Sequence, residues 1–203
     1  HHVLLVAGQQ DLNPEHIEAL RTIWKHHNIP ILGDVISNLH PLDAVVSHAD
    51  LFLSQASAAV KKSLAPDLLI TFGGSVVSKQ VKTFLREYPA KTHWHIQSAG
   101  PVPDTFQSVT RIFNTNTTTF LNFLGSLPRP KTFESQKQEN YGKLWEVEER
   151  RAVRTLENFF PQKDFAEFEF VREVINHLPA ICNLHLANSM SVRYTNYIGL
   201  NVN

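Results

Sequence analysis

Cysteine is almost absent: Cys182 stands alone, which excludes an internal disulfide and leaves no thiolate cluster for zinc. Set in an apolar run, it reads as a small buried hydrophobe. Neither sign of charge is in excess, since Lys plus Arg and Asp plus Glu both come to 19. That balance excludes a broad electrostatic footprint for nucleic acid or an anionic membrane, so any anion site must be local. No apolar stretch reaches the roughly 18 residues of a membrane span, and no basic segment followed by an apolar one opens the chain. A cytoplasmic protein without a membrane span is expected. Glycine fingerprints are missing too: the eight glycines form neither Gly-x-Gly-x-x-Gly nor Gly-x-x-x-x-Gly-Lys-Ser/Thr. The 11 histidines include no His-x-x-x-His pair on a helix, so they read as solvated or core-edge imidazoles rather than metal ligands. His1 and His2 look like a tag remnant and are set aside.

What is present is an alternation of short apolar runs and amphipathic stretches. Val3-Leu4-Leu5-Val6-Ala7-Gly8 has the continuous apolar character of a strand buried on both faces of a parallel sheet. Asn13-Pro14 then supplies a cap and a first-turn proline, and Ile17, Leu20, Ile23 and Trp24 recur at helical spacing through about His27. The same logic predicts strands at 30–33, 67–74, 91–97 and 110–113, a short helix near 49–53, and helices at 78–88 and 117–124. Five or six strands with intervening helices imply a doubly wound, mostly parallel Rossmann-like α/β sheet.

The stretch from Leu127 to Lys137 is Pro-rich and polar, the composition of a linker. The expected division is a domain over 1–127, a linker over 128–140, and an incomplete second unit over 141–203. That second unit holds a long charged helix at 141–159, a helix at 164–177, and a strand at Leu184-His185-Leu186-Ala187. The last strand has no sequence partner after it and is expected to pair with another edge or to be covered by the preceding helices. A binding strand so close to the last residue reads as part of a larger protein.

Two turns carry candidate chemistry. Asn188-Ser189 after the strand places backbone N–H groups and a hydroxyl at a helix start, where an anion is favoured. Arg193, four residues after Ser189, shares its helical face. Ser189 lacks the Gly-x-Ser-x-Gly setting of a nucleophile and reads as a cap. Gly73-Gly74-Ser75 links a strand to a helix whose first turn holds Lys79, and a cation there opposes the helix dipole by some tenths of a kcal/mol unless an anion sits beside it. Local chemistry leaves each of these balanced against a plain turn and solvated cations.

Gly33-Asp34-Val35-Ile36-Ser37, Phe72-Gly73-Gly74-Ser75 with Lys79, and above all Asn188-Ser189-Met190-Ser191-Val192-Arg193 together resemble one family. It is 2-succinyl-5-enolpyruvyl-6-hydroxy-3-cyclohexene-1-carboxylate synthase (MenD), a thiamine-diphosphate enzyme of menaquinone biosynthesis. The resemblance implies that the chain holds the middle α/β domain and the opening of the C-terminal, diphosphate-binding domain. It implies a full-length transferase that decarboxylates 2-oxoglutarate and adds the succinyl unit to isochorismate, using thiamine diphosphate and Mg2+ bound by segments outside this chain. The parent is then a cytoplasmic homo-oligomer, dimer or tetramer, and the fragment alone is inactive and holds no catalytic, cofactor or metal residue. Substrate carboxylates would meet Lys79, Asn188, Ser189 and Arg193. Some members carry Arg after the lysine where this chain has Gln80, a departure that bears on any bidentate contact from the middle domain. The alternative class is a stand-alone Rossmann-like nucleotide-binding module, against which the missing glycine fingerprint argues.

Overall fold

The computed structural model describes residues 2–128, 133–162, 165–179 and 181–200. The sheet is built from β1 (Val3–Ala7), β2 (Ile31–Gly33), β3 (Val45–Val46), β4 (Leu68–Phe72), β5 (Thr92–Gln97) and β6 (Arg111–Asn114). The helices are α1 (Pro14–His27), α2 (Ala49–Gln55), α3 (Ala58–Leu64), α4 (Lys79–Glu87), α5 (Thr117–Ser126), α6 (Phe133–Phe159), α7 (Glu167–Asn176) and α8 (Met190–Ile198). Strand order is β3-β2-β1-β4-β5-β6 and every ladder is parallel. The order reverses between β1 and β4, which opens a crevice at their C-terminal ends.

Strand pleating divides the core. Leu4 and Val6 of β1 point to one face with Leu69 of β4, where Phe52, Phe84, Tyr141 and Trp145 cover them. Leu5 and Ala7 point to the other face with Ile70 and Phe72, beneath Ile17, Leu20 and Ile23 of α1 and Leu121 of α5. Burial on both faces is why these strands read as unbroken apolar runs. Asn13 caps α1 by accepting from the Glu15 and His16 amides at 2.9 and 3.3 Å, as its sequence signature requires.

The long helix belongs to this core. It begins at Phe133 rather than near Tyr141, so its first turns occupy part of the stretch read as linker, and residues 129–132 lie outside the described residues. Gln138 holds both ends of the Val3 peptide, accepting from its N at 2.8 Å and donating to its O at 3.2 Å. Tyr141 and Trp145 are 1% and 0% exposed, and the Tyr141 hydroxyl donates to the Leu64 carbonyl at 2.9 Å. Each such aromatic removes ~150–250 Å² from water, roughly 4–6 kcal/mol as an upper bound. His2 is integrated rather than tag-like: its amide donates to Asp67 and its ring stacks on Tyr141 at 4.4 Å.

Two expectations fail after α7. Residues 184–187 form no strand; Leu184 and Leu186 are half-buried while His185 and Ala187 face solvent. Their two apolar side chains find partial cover without a ladder. Cys182 is exposed, not buried. The second expected helix runs Glu167–Asn176, and its predicted first residue, Asp164, lies outside the described residues. Two elements, β3 and α3, had no sequence expectation.

Candidate functional site

The start of α4 is saturated with internal acceptors. Ser78 caps the helix, its Oγ accepting from the Val81 amide at 3.1 Å and donating to Asp50 Oδ1 at 2.5 Å. Asp50 Oδ1 also accepts from the Gln80 amide at 2.8 Å, while Asp34 Oδ2 accepts from the Val77 and Ser78 amides. Both carboxylates are buried, 9% exposed for Asp34 and 6% for Asp50. Burial pushes the Asp34 carboxyl above its ordinary range, against the pull of the Val77 and Ser78 N–H groups. The anions that stabilise a cation at this helix start are therefore the protein's own. Lys79 itself is exposed at the first helical position, and Gln80 is half-buried with its amide on Asp50.

Helix α8 docks on the same edge. The Val35 amide donates to Asn196 Oδ1 at 3.1 Å, and Thr195 and Asn196 are 1% and 2% exposed. Asp50 also acts on Tyr197 of α8: burial together with the Asp50 charge raises the Tyr197 hydroxyl pKa, with Arg193 acting in the opposite sense. Asp50 is thus a joint. It caps the helix that Lys79 begins and meets Tyr197, one turn beyond Arg193. Arg193 and Ser189 are exposed. Ser189 stands at the cap position, yet its side chain makes no capping bond and its φ of 81° lies on the left-handed side, a strain of about 1–3 kcal/mol. Asn188 turns its Oδ1 onto the Ser189 amide at 2.8 Å instead of reaching toward a ligand. Among the described residues no hydrogen bond links Lys79, Ser189 and Arg193 to one another. The structure unites their helices through Asp50.

A cleft of about 380 Å³ lies between the ends of β2 and β3 and helices α6 and α8, with Asp34, His40, Asp43, Ser47, Glu149 and Asn196 in its lining. Three carboxylates make it a poor host for a dicarboxylate. At the β1/β4 crevice, Gly8, Gly73 and Gly74 let two chain segments touch: the Gly74 amide donates to the Gln9 carbonyl and the Gln9 amide to the Ser75 carbonyl, both at 2.8 Å. The Gly74 donor of this turn thus faces the chain itself. Beside it, Thr71 Oγ1 lies 2.8 Å from both His93 Nε2 and His95 Nδ1, and His93 Nδ1 is 2.9 Å from Ser108 Oγ. Burial holds both imidazoles below the ordinary range, His93 at about 4.

These donors do not fit a diphosphate or its metal. The Gly74, Val77, Ser78 and Gln80 amides already have acceptors, and the described residues include no group of three His, Cys, Asp or Glu side chains able to hold a metal ion. No described helix is long and apolar enough to cross a membrane. The residues that sequence reasoning missed are Asp50, His48, Glu149 and Asn196. Asp50 had one local signal, a lone acid inside the apolar Ala49-Asp50-Leu51-Phe52-Leu53 run.

An all-parallel doubly wound sheet with helices on both faces is a Rossmann-like α/β domain. The family model described as the middle domain of thiamine pyrophosphate matches residues 3–186, and the chain belongs to that family. It is similar to the 2-succinyl-5-enolpyruvyl-6-hydroxy-3-cyclohexene-1-carboxylate synthase of Cytophaga hutchinsonii, 35% identical over 98% of this chain and 34% of the relative. The synthase of the same name from Porphyromonas gingivalis is 32% identical over 95% of this chain and 33% of the relative. That of Flavobacterium johnsoniae is 29% identical over 97% and 34%. The chain spans about a third of the length of these curated relatives.

Proposed function

We propose that this chain is the middle domain, with the opening of the following domain, of a synthase that decarboxylates 2-oxoglutarate and adds the succinyl unit to isochorismate in menaquinone biosynthesis. In this reading the middle domain comprises residues 1–127 together with α6, whose Tyr141 and Trp145 pack in its core, and the residues after α6 lead into the diphosphate-binding domain. The parent is a cytoplasmic homo-oligomer. Thiamine diphosphate and Mg2+ belong to segments outside this chain, which alone is inactive. Its own part is to grip substrate carboxylates: Arg193 by a charge-assisted pair, Lys79 as a point charge, and Asn188 and Ser189 as donors at the α8 start. Gln80 leaves the middle domain with one cation where some members have two.

The observation that carries this reading is the Asp50 joint, which ties the helix led by Lys79 to the helix bearing Arg193. Both cations remain exposed beside it. The test is the full-length polypeptide supplied with thiamine diphosphate, Mg2+, 2-oxoglutarate and isochorismate. Adduct and CO2 are expected in equal amounts. Lys79→Ala and Arg193→Ala each remove a charged contact of about 1.5–3 kcal/mol, so KM for a dicarboxylate should rise ~10–100-fold. No adduct with cofactor bound, or unchanged KM values in both variants, would overturn the reading.

A further inference from the structure

His48 begins α2 and touches three elements. It is 9% exposed, with Nδ1 2.6 Å from Glu149 Oε1 on α6 and Nε2 3.2 Å from the carbonyl of Ile198 at the end of α8. A carboxylate oxygen and a peptide carbonyl only accept. Both ring nitrogens must therefore carry hydrogen, and a neutral imidazole has only one N–H. Glu149 is in the form that accepts, because the Ser47 amide, the Ser47 hydroxyl and the His48 amide also donate to it, at 3.1, 3.2 and 3.0 Å. The cation also sits where the last carbonyls of α8 concentrate partial negative charge. Asp34, His40 and Asp43 line the adjoining cleft, and Asp50 on His48's own helix is directed to Ser78 and Gln80. Of these charged groups only Glu149 is within bonding distance of the His48 ring.

We propose that His48 is a positioning residue for Arg193: a doubly protonated imidazolium that pins the end of α8 to α2 and α6, so that losing this proton loosens the helix and weakens carboxylate binding. The part concerning Arg193 rests on the substrate reading above. The pin itself does not. Burial disfavours the cation, but the Glu149 hydrogen bond and charge with the Ile198 carbonyl outweigh it, so the His48 pKa is raised. For a raised histidine the contribution is complete below the ordinary value near ~6.5 and is lost as pH rises through the folded value.

Nitrogen NMR of the 203-residue chain labelled in histidine tests the pin directly. Two protonated ring nitrogens are expected for His48 until a titration that lies above the ordinary range; titration at or below that range overturns the proposal. The resonance is identified by its loss in His48→Gln or, should that variant not fold, by its downward shift in Glu149→Gln. In the full-length enzyme, KM for the dicarboxylate should rise about tenfold as pH climbs through the His48 titration while kcat changes less than about twofold. His48→Gln should show the high KM at every pH. A wild-type KM that is flat across that window overturns the coupling to Arg193. If Arg193→Ala leaves KM unchanged, the substrate reading fails while the NMR result still judges the pin; if it raises KM and His48 titrates at or below the ordinary range, the pin alone fails.

Discussion

Replacing Asp50 with alanine should loosen the start of α4. The Oδ1 atom accepts from the Ser78 hydroxyl at 2.5 Å and from the Gln80 amide at 2.8 Å, and the side chain is 6% exposed. Hydrogen bonds to a charged group contribute about 1.5–3 kcal/mol each, and a buried donor left without a partner costs about 1–3 kcal/mol. The two losses overlap, because the Ser78 hydroxyl can rotate back to its own helix and serve only the Val81 amide. An expected loss of about 3 kcal/mol follows for Asp50→Ala. Asp50→Asn keeps an acceptor in the same place and should lose about 1 kcal/mol. Urea unfolding followed by circular dichroism reads both, with the slope unchanged if only stability moves. For a chain of this size about 3 kcal/mol corresponds to roughly 6–12 °C in Tm. Hydrogen exchange at the Gln80 amide should accelerate in the alanine variant before the sheet amides do. A loss under about 1 kcal/mol in Asp50→Ala, or equal losses in the two variants, would refute Asp50 as the joint.

The buried His93 predicts an acid-sensitive fold. Its folded pKa lies at about 4, below the ordinary value, so the unfolded chain takes up the proton first. Its contribution is complete above pH ~6.5 and declines by about 3 kcal/mol as pH falls toward the folded value. Urea midpoints should drop over that window, and a His93→Gln variant should show a visibly shallower fall; parallel profiles would exclude His93 as the source. A second test contrasts two glycines where the segments after β1 and β4 touch. A Cβ at Gly8 would lie 2.1 Å from the Gly74 carbonyl oxygen, backbone against backbone, whereas one at Gly74 meets nothing closer than 3.4 Å. Gly8→Ala should lose more than about 3 kcal/mol or fail to fold, and Gly74→Ala should stay within about 1 kcal/mol, by the same urea assay.

The parallel sheet is legible because its signals are local. β1 and β4 are buried on both faces, so each writes a continuous apolar run, β5 is written as an alternation instead, and α1 announces itself through Asn13, Pro14 and the Ile17-Leu20-Ile23 spacing. β3 is only two residues long, too short to carry any periodicity. The start of α6 was hidden by composition: prolines at 128 and 130 mark a break, but the helix resumes at Phe133 and buries Tyr141 and Trp145 in the sheet's own core. The false strand at 184–187 is the reverse error. Its Leu-His-Leu pattern satisfies the period of two, and pairing needs a free edge that no local pattern can report.

The candidate site follows the same division. Lys79, Ser189 and Arg193 stand out in the sequence as candidates because each lies in or beside a turn whose residues are contiguous. What holds them in relation is not contiguous: Asp50 meets Ser78 and Gln80 across 28 and 30 positions, His48 meets Glu149 across 101, and it meets Ile198 across 150. The anion that a helix start with a lysine at its first position seemed to require is supplied by Asp34 and Asp50, residues of other elements. An exposed cation at such a helix start is therefore not, by itself, a sign of a ligand. The weight moves to the geometry between helices, where a buried aspartate and a buried histidine fix how α4 and α8 lie against the sheet. Sequence names the groups that can touch a carboxylate, and the long-range polar contacts determine whether they are presented together.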